Sequence, residues 1–196
     1  MRTRNEHKEQ LVEEKALELL VTHGFDGFSM QKLAKAANVS PATLYIYYKD
    51  KEDLITQLGM IHGTKMVDVT LEGFDPHMSF EEGLRLQWRN RARYWLENPM
   101  EAKFFDLLSH TPYHKVIAMK MNDRFREVMT VFGRNAVEKN ELVRVPFEVY
   151  WSIAFAPLYN LIRFHFEGQS KGGKPFTWSD EIMEQTLSLV IKALKP

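Results

Sequence analysis

Apolar residues return every three or four positions along almost the whole chain, the period of an amphipathic helix, and no stretch alternates as a strand would. Val12, Ala16, Leu19 and Leu20 share one face of a first helix that Gly24-Phe25-Asp26-Gly27 ends. Ser29 is placed to cap a second helix whose Leu33, Ala34 and Ala37 turn inward. Asn38 suits a tight turn because asparagine tolerates left-handed backbone angles. Ser40 is the next N-cap, and Pro41 occupies a first helical position where its missing N–H costs nothing. Asp50 caps a fourth helix with Leu54, Leu58, Ile61 and Val69 near one stripe. Ser79-Phe80-Glu81-Glu82 has capping-box spacing and opens a fifth that stops at Asn98-Pro99. A sixth runs from Met100 to about Ser109 and a seventh from about Tyr113 to Asn140. The eighth starts at Pro146 and should bend at Pro157, and the last covers Ser179 to Leu194. The expected fold class is all-α, with about nine helices.

The last two helices are too apolar for one buried stripe each, unless a wide stripe serves a single deep core. In the final one, Ile182, Thr186, Leu189 and Ala193 form one row, and Met183, Leu187, Val190 and Leu194 another. One row suffices for the helix's own core, so the second must meet something else, and a symmetric second copy is the simplest partner. A homodimer interface is therefore expected from Phe155, Leu158 and Ile162 together with Met183, Leu187, Val190 and Leu194.

Composition changes this picture little. Lysine plus arginine equals aspartate plus glutamate, 26 of each, so bulk charge argues neither for nor against a nucleic-acid partner. Locally the balance differs: from Gly27 to Lys49 there are three lysines and no acid. The chain has no cysteine, which excludes disulfides and thiolate metal sites. The charged N-terminus shows no secretory pattern, and no apolar run approaches the roughly 20 residues of a membrane span. A cytoplasmic protein without membrane contact is expected.

The segment from Ser29 to Leu54, SMQKLAKAANVSPATLYIYYKDKEDL, reads as two short helices joined by a tight turn. That is the outline of a helix-turn-helix, which lays its second helix in the major groove of duplex DNA. With Ala16 to Gly24, Phe25 and Phe28 before it, the arrangement resembles the N-terminal domain of the tetracycline-repressor (TetR) family of transcriptional regulators. The resemblance implies a DNA-binding domain at residues 1–50 and an effector-binding and dimerisation domain at 51–196. It implies a non-enzymatic, homodimeric regulator, a repressor released from a pseudo-palindromic operator by a small, largely apolar effector.

On the DNA side the residues carrying contact are expected to be Ser29, Gln31, Ser40, Pro41, Ala42, Thr43, Tyr45, Tyr47, Tyr48, Lys49 and Lys51, with Arg2 and Arg4 reaching neighbouring phosphates. No arginine or lysine lies between Pro41 and Tyr48, so the bidentate guanine contact is missing from this helix. Readout must lean on Thr43, tyrosines, apolar contacts and DNA shape.

Aromatic residues are dense after position 80, and in a bundle such rings usually form core. The family resemblance makes some of them candidate effector contacts: Trp88, Trp95, Phe105, Phe125, Trp151, Phe155 and Tyr159, with Arg91, His110 and Arg163 as polar partners. By composition the effector is apolar or aromatic, with room for an anionic group. No cofactor or metal is expected. Gly168 to Lys174 matches a phosphate-binding loop, but Pro175 replaces the magnesium-binding hydroxyl and no strand precedes it. His110 and His114 have helical spacing with Pro112 between them and no nearby carboxylate. The competing reading is a helical protein-interaction adaptor that ignores DNA.

Overall fold

The computed structural model describes residues 4–121 and 123–196, with side chains described for 7–117, 123 and 125–196. Among the described residues every regular element is helical, as the periodicity requires. They are α1 (Arg4–Gly27), α2 (Met30–Ala36), α3 (Pro41–Tyr47), α4 (Lys51–Thr70), α5 (Phe80–Glu97) and α6 (Pro99–Ser109). Then follow α7 (Tyr113–Met121), α8 (Asp123–Glu138), α9 (Phe147–Ala154), α10 (Ala156–Glu167) and α11 (Asp180–Leu194). None of them is long and apolar enough to cross a membrane.

One of the expected helices is broken. The seventh is described as α7 and α8, on either side of residue 122, which lies outside the described residues. The eighth does more than bend: Phe155 leaves helical geometry (φ −127, ψ −29) and separates α9 from α10. Pro157 explains the position, since it has no N–H to give and its ring cannot sit against the carbonyl four residues earlier, that of Ile153.

The chain forms two compact units, residues 1–65 with 98–122, and residues 66–97 with 123–196. In the first, α1 packs on α2 and α6, and the core holds Val12, Ala16, Leu20, Leu33, Leu44, Tyr48, Leu54, Leu58, Phe104 and Ile117. The helix-turn-helix is therefore sealed by residues far along the chain: Phe25 meets the rings of Phe104 and Tyr113 at 6.4 and 6.0 Å. These packing units have other bounds than the functional division expected at residue 50, because α6 and α7 close the core that α1 to α4 begin.

In the second unit α5, α9, α10 and α11 pack together, with α8 against α5. Trp88 is fully buried and its indole N–H donates to the Ala154 carbonyl at 2.7 Å, where α9 ends. The expected dimer residues need correction here. Phe155, Leu158, Ile162, Met183, Leu187, Val190 and Leu194 are at most 5% exposed within a single chain, so they have almost no surface left for a partner. The row of α11 that packs on its own unit is the Met183 row, and it is Leu189 of the other row that faces solvent, at 66% exposure.

Candidate functional site

The helix-turn-helix is built by two serine caps and one left-handed asparagine. Ser29 accepts a hydrogen bond from the Lys32 N–H at 3.3 Å and starts α2. Asn38 has φ +52 and reverses the chain. Ser40 accepts from the Thr43 N–H at 3.1 Å and exchanges a 2.8 Å hydroxyl contact with Thr43, which starts α3 behind Pro41. Leu44 is fully buried and fixes the rotation of α3. The positions on the opposite side of α3 are then Ala42, Tyr45 and Ile46, all exposed.

Tyr45 is 54% and Ile46 77% exposed, and Ile46 is the most exposed of the large apolar side chains among the described residues. Ile46 was not among the expected contacts. Helical arithmetic could have found it, since it lies two residues, about 200°, from the buried Leu44. Pro41, Ala42 and Gln31 are exposed, whereas Thr43, Ser29 and Tyr47 are half-buried. Tyr47 lies beside Tyr48, ring centroids 6.4 Å apart.

Tyr48 must be withdrawn from the surface set. It is 2% exposed and belongs to the core, because the backbone turns extended at this residue (φ −129, ψ 124) and carries the ring inward. Burial raises the phenol well above its ordinary range, and the carboxylates of Glu13, Glu9 and Asp53 add to the effect, so the ring stays neutral.

The cations divide. Lys49 is exposed beyond α3, and Lys32 and Lys35 are exposed on α2, although Lys32 also reaches the Gly27 carbonyl at 2.7 Å. The Lys51 ammonium donates to the Phe25 carbonyl, so it ties α4 to the end of α1. Two further N–H groups remain on it for a phosphate. Arg2 and the side chain of Arg4 lie outside the described residues.

The expected effector contacts fall apart into four groups. Phe105 and His110 belong to the first unit, where His110 is exposed and contacts Ser109 at 3.0 Å. Arg163 is exposed on α10, bonded to Asn160 at 2.9 Å. Trp88 and Trp95 are buried core rings. Arg91, Phe125, Trp151, Phe155 and Tyr159 do come together in the second unit. The Arg91 guanidinium carbon stands 4.6 Å from the Phe155 ring centre, 5.4 Å from Phe125 and 5.7 Å from Trp151. Its Nη1 donates to the Tyr159 hydroxyl at 2.7 Å. Burial pushes the nearby Tyr150 phenol up to about 12, against the pull of Arg91.

Comparison with known proteins agrees with this geometry. The family described as "Bacterial regulatory proteins, tetR family" matches residues 12–58. An uncharacterized HTH-type transcriptional regulator of Haemophilus influenzae is 35% identical over 81 residues, 41% of this chain and 43% of that protein. The chain thus spans less than half the length of this relative. A TetR family transcription regulator from Marinobacter aquaeolei superposes with a TM-score of 0.84 at 28% identity, over 100% of this chain and 99% of that one. The transcriptional regulator FadR from Bacillus subtilis, in complex with stearoyl-CoA, shares the fold at 15% identity, with a TM-score of 0.75 over 95% of this chain and 99% of that one.

Proposed function

Since the chain belongs to the tetR family of bacterial regulatory proteins, we propose that it is a cytoplasmic, homodimeric DNA-binding regulator whose hold on its operator is changed by a small molecule. The observation that carries this reading is the free face of α3, where Ala42, Tyr45 and Ile46 project from a helix held in place by the buried Leu44 and Tyr48. A helix of seven residues fills one major groove with three or four side chains. Ala42 and Ile46 can meet thymine methyl groups, Tyr45 can bond a phosphate or a base edge, and Lys32, Lys35 and Lys49 supply phosphate contacts. Without an arginine on this face, sequence preference should favour A·T steps and groove shape over a guanine pattern.

Control by a ligand follows from linkage. An effector that fits one arrangement of the second unit better than another shifts the equilibrium only by that difference in affinity. A fold neighbour seen with stearoyl-CoA supports an effector with a large apolar part.

Selection of bound sequences from a random duplex pool tests the reading. A two-fold symmetric consensus is expected, with binding that weakens steeply as salt rises. Ile46→Ala and Tyr45→Ala should each weaken the selected site by about tenfold, roughly 1.4 kcal/mol, without lowering the melting temperature. Recovery of no consensus, or binding by both variants as tight as that of the unaltered protein, would overturn it in favour of a protein-interaction adaptor.

A further inference from the structure

We propose that Arg91 anchors a singly charged carboxylate with an apolar body, gripping it along the Nε–Nη2 edge of the guanidinium. This rests on the reading of the second unit as the effector domain and specifies the ligand's chemistry there.

Arg91 is 2% exposed, and a guanidinium keeps its charge at any pH a protein meets. Of its donors, Nη1 is well satisfied by Tyr159 at 2.7 Å. Nη2 reaches Gln87 Oε1 only at 3.4 Å, and the buried Nε has no acceptor among the described residues. Among the described residues no carboxylate pairs with it. Tyr150, kept protonated by burial, supplies no negative charge either. Phe125, Trp151 and Phe155 stabilise the cation through their ring faces, but aromatic carbon does not replace an acceptor for an in-plane N–H. A buried cation left in this state is costly unless something else completes it.

The missing partner can be specified. The Nε–Nη2 edge carries two N–H groups side by side, the spacing that the two oxygens of one carboxylate match in parallel. Among the described residues Arg91 is the one charged side chain that is buried, the other buried polar residues being Thr70, Gln87 and Asn90. Asn90 is already committed to the Thr70 and Glu72 carbonyls. One positive charge balances one negative charge, which favours a carboxylate over a phosphate dianion. Phe155 closes the inner side, whereas Phe125, Trp151 and Tyr159 are half-buried and form the outer side. The apolar body of the ligand belongs against these rings, which come from α8 and from both sides of the α9–α10 break.

Calorimetry on the full chain with decanoate and 4-phenylbutanoate, each against its primary amide, tests this. The acids should bind about ten- to a hundredfold tighter than the amides, the usual advantage of a charge-assisted bidentate pair. Arg91→Met should erase the preference, and Arg91→Lys, which keeps the charge but loses the paired edge, should retain only part of it. Near-ultraviolet circular dichroism confirms that each variant is folded. If a variant does not fold, the acid–amide contrast in the unaltered protein decides alone. Equal affinity for acid and amide, no binding of either acid, or a preference surviving in folded Arg91→Met would overturn the anchor. DNA binding, measured separately, keeps the two readings apart. Operator binding without acid binding sinks the anchor alone, and acid binding without operator binding sinks the regulatory reading alone.

Discussion

A Cβ placed on Gly83 would lie 2.5 Å from the Phe132 ring and 3.1 Å from Phe74. Phe132 is 1% exposed and stacks on Phe80, centroids 6.1 Å apart, so it cannot step aside. Gly83→Ala should therefore cost about 1–3 kcal/mol through overpacking, although alanine is the better helix former. Gly133 on α8 is the opposite case, with nothing within 4 Å of its added Cβ. Gly133→Ala should stabilise by about 0.5–1 kcal/mol. Thermal or urea melts of the two variants should move in opposite directions; a shared sign would mean that these contacts do not govern stability. The same dependence on distant partners explains what single residues conceal. Ser40, Pro41 and Asn38 announce their roles because caps and turns are local chemistry. Tyr48 does not, because its burial depends on the backbone turning extended one residue after Tyr47, and its sequence neighbours are exposed or half-exposed aromatics. Arg91 was visible as a polar group among rings, but that no carboxylate among the described residues pairs with it is legible only in three dimensions.

Elements add couplings that no single position shows. On α4, His62 packs beside Glu101 of α6, Nδ1 to carboxylate 3.7 Å, with its side chain 15% exposed. Burial lowers its pKa below the ordinary 6.5; Lys65 pushes the same way, and Glu101 opposes. The sign of the consequence is definite. Below pH 6.5 the unfolded chain takes up a proton that native His62 still refuses, so stability present above 6.5 is lost as pH falls. One proton corresponds to a slope of at most about 1.4 kcal/mol per pH unit. His62→Gln should flatten the stability curve between neutral and mildly acidic pH in denaturant titrations, and an unchanged slope would assign it to other groups. The α9–α10 break is a second element-scale lesson. Pro157 marks where an interruption must fall, but only packing decides between a bend and a full stop at Phe155. In α11 both rows are apolar, and the choice between them lay with α5, α9 and α10, which occupy the Met183 side. Periodicity predicted two faces correctly and could not tell which one was inward.

At the scale of the whole molecule, that inversion moves the expected dimer contact. The outward row of α11 sets Leu189, 66% exposed, among Glu181, Glu184, Gln185, Ser188 and Lys192. An apolar centre with a polar rim is the anatomy of an interface, and on a two-fold axis each α11 would present the same patch to its twin. Under the proposed function a two-fold contact is required, since two α3 helices must reach half-sites about 34 Å apart, or a multiple of that, to read one operator. Leu189→Arg tests it cleanly, because the side chain contributes little to its own unit and repulsion between two new guanidiniums acts only across the axis. Sedimentation velocity should show the variant shifted toward monomer. Operator affinity should fall far more than affinity for random duplex, which depends on phosphate contacts from each head alone. Leu187→Ala is the instructive contrast: fully buried in its own unit, it should cost about 2–5 kcal/mol of folding stability. A Leu189→Arg protein that remains dimeric and binds its operator normally would place the two-fold contact on another surface.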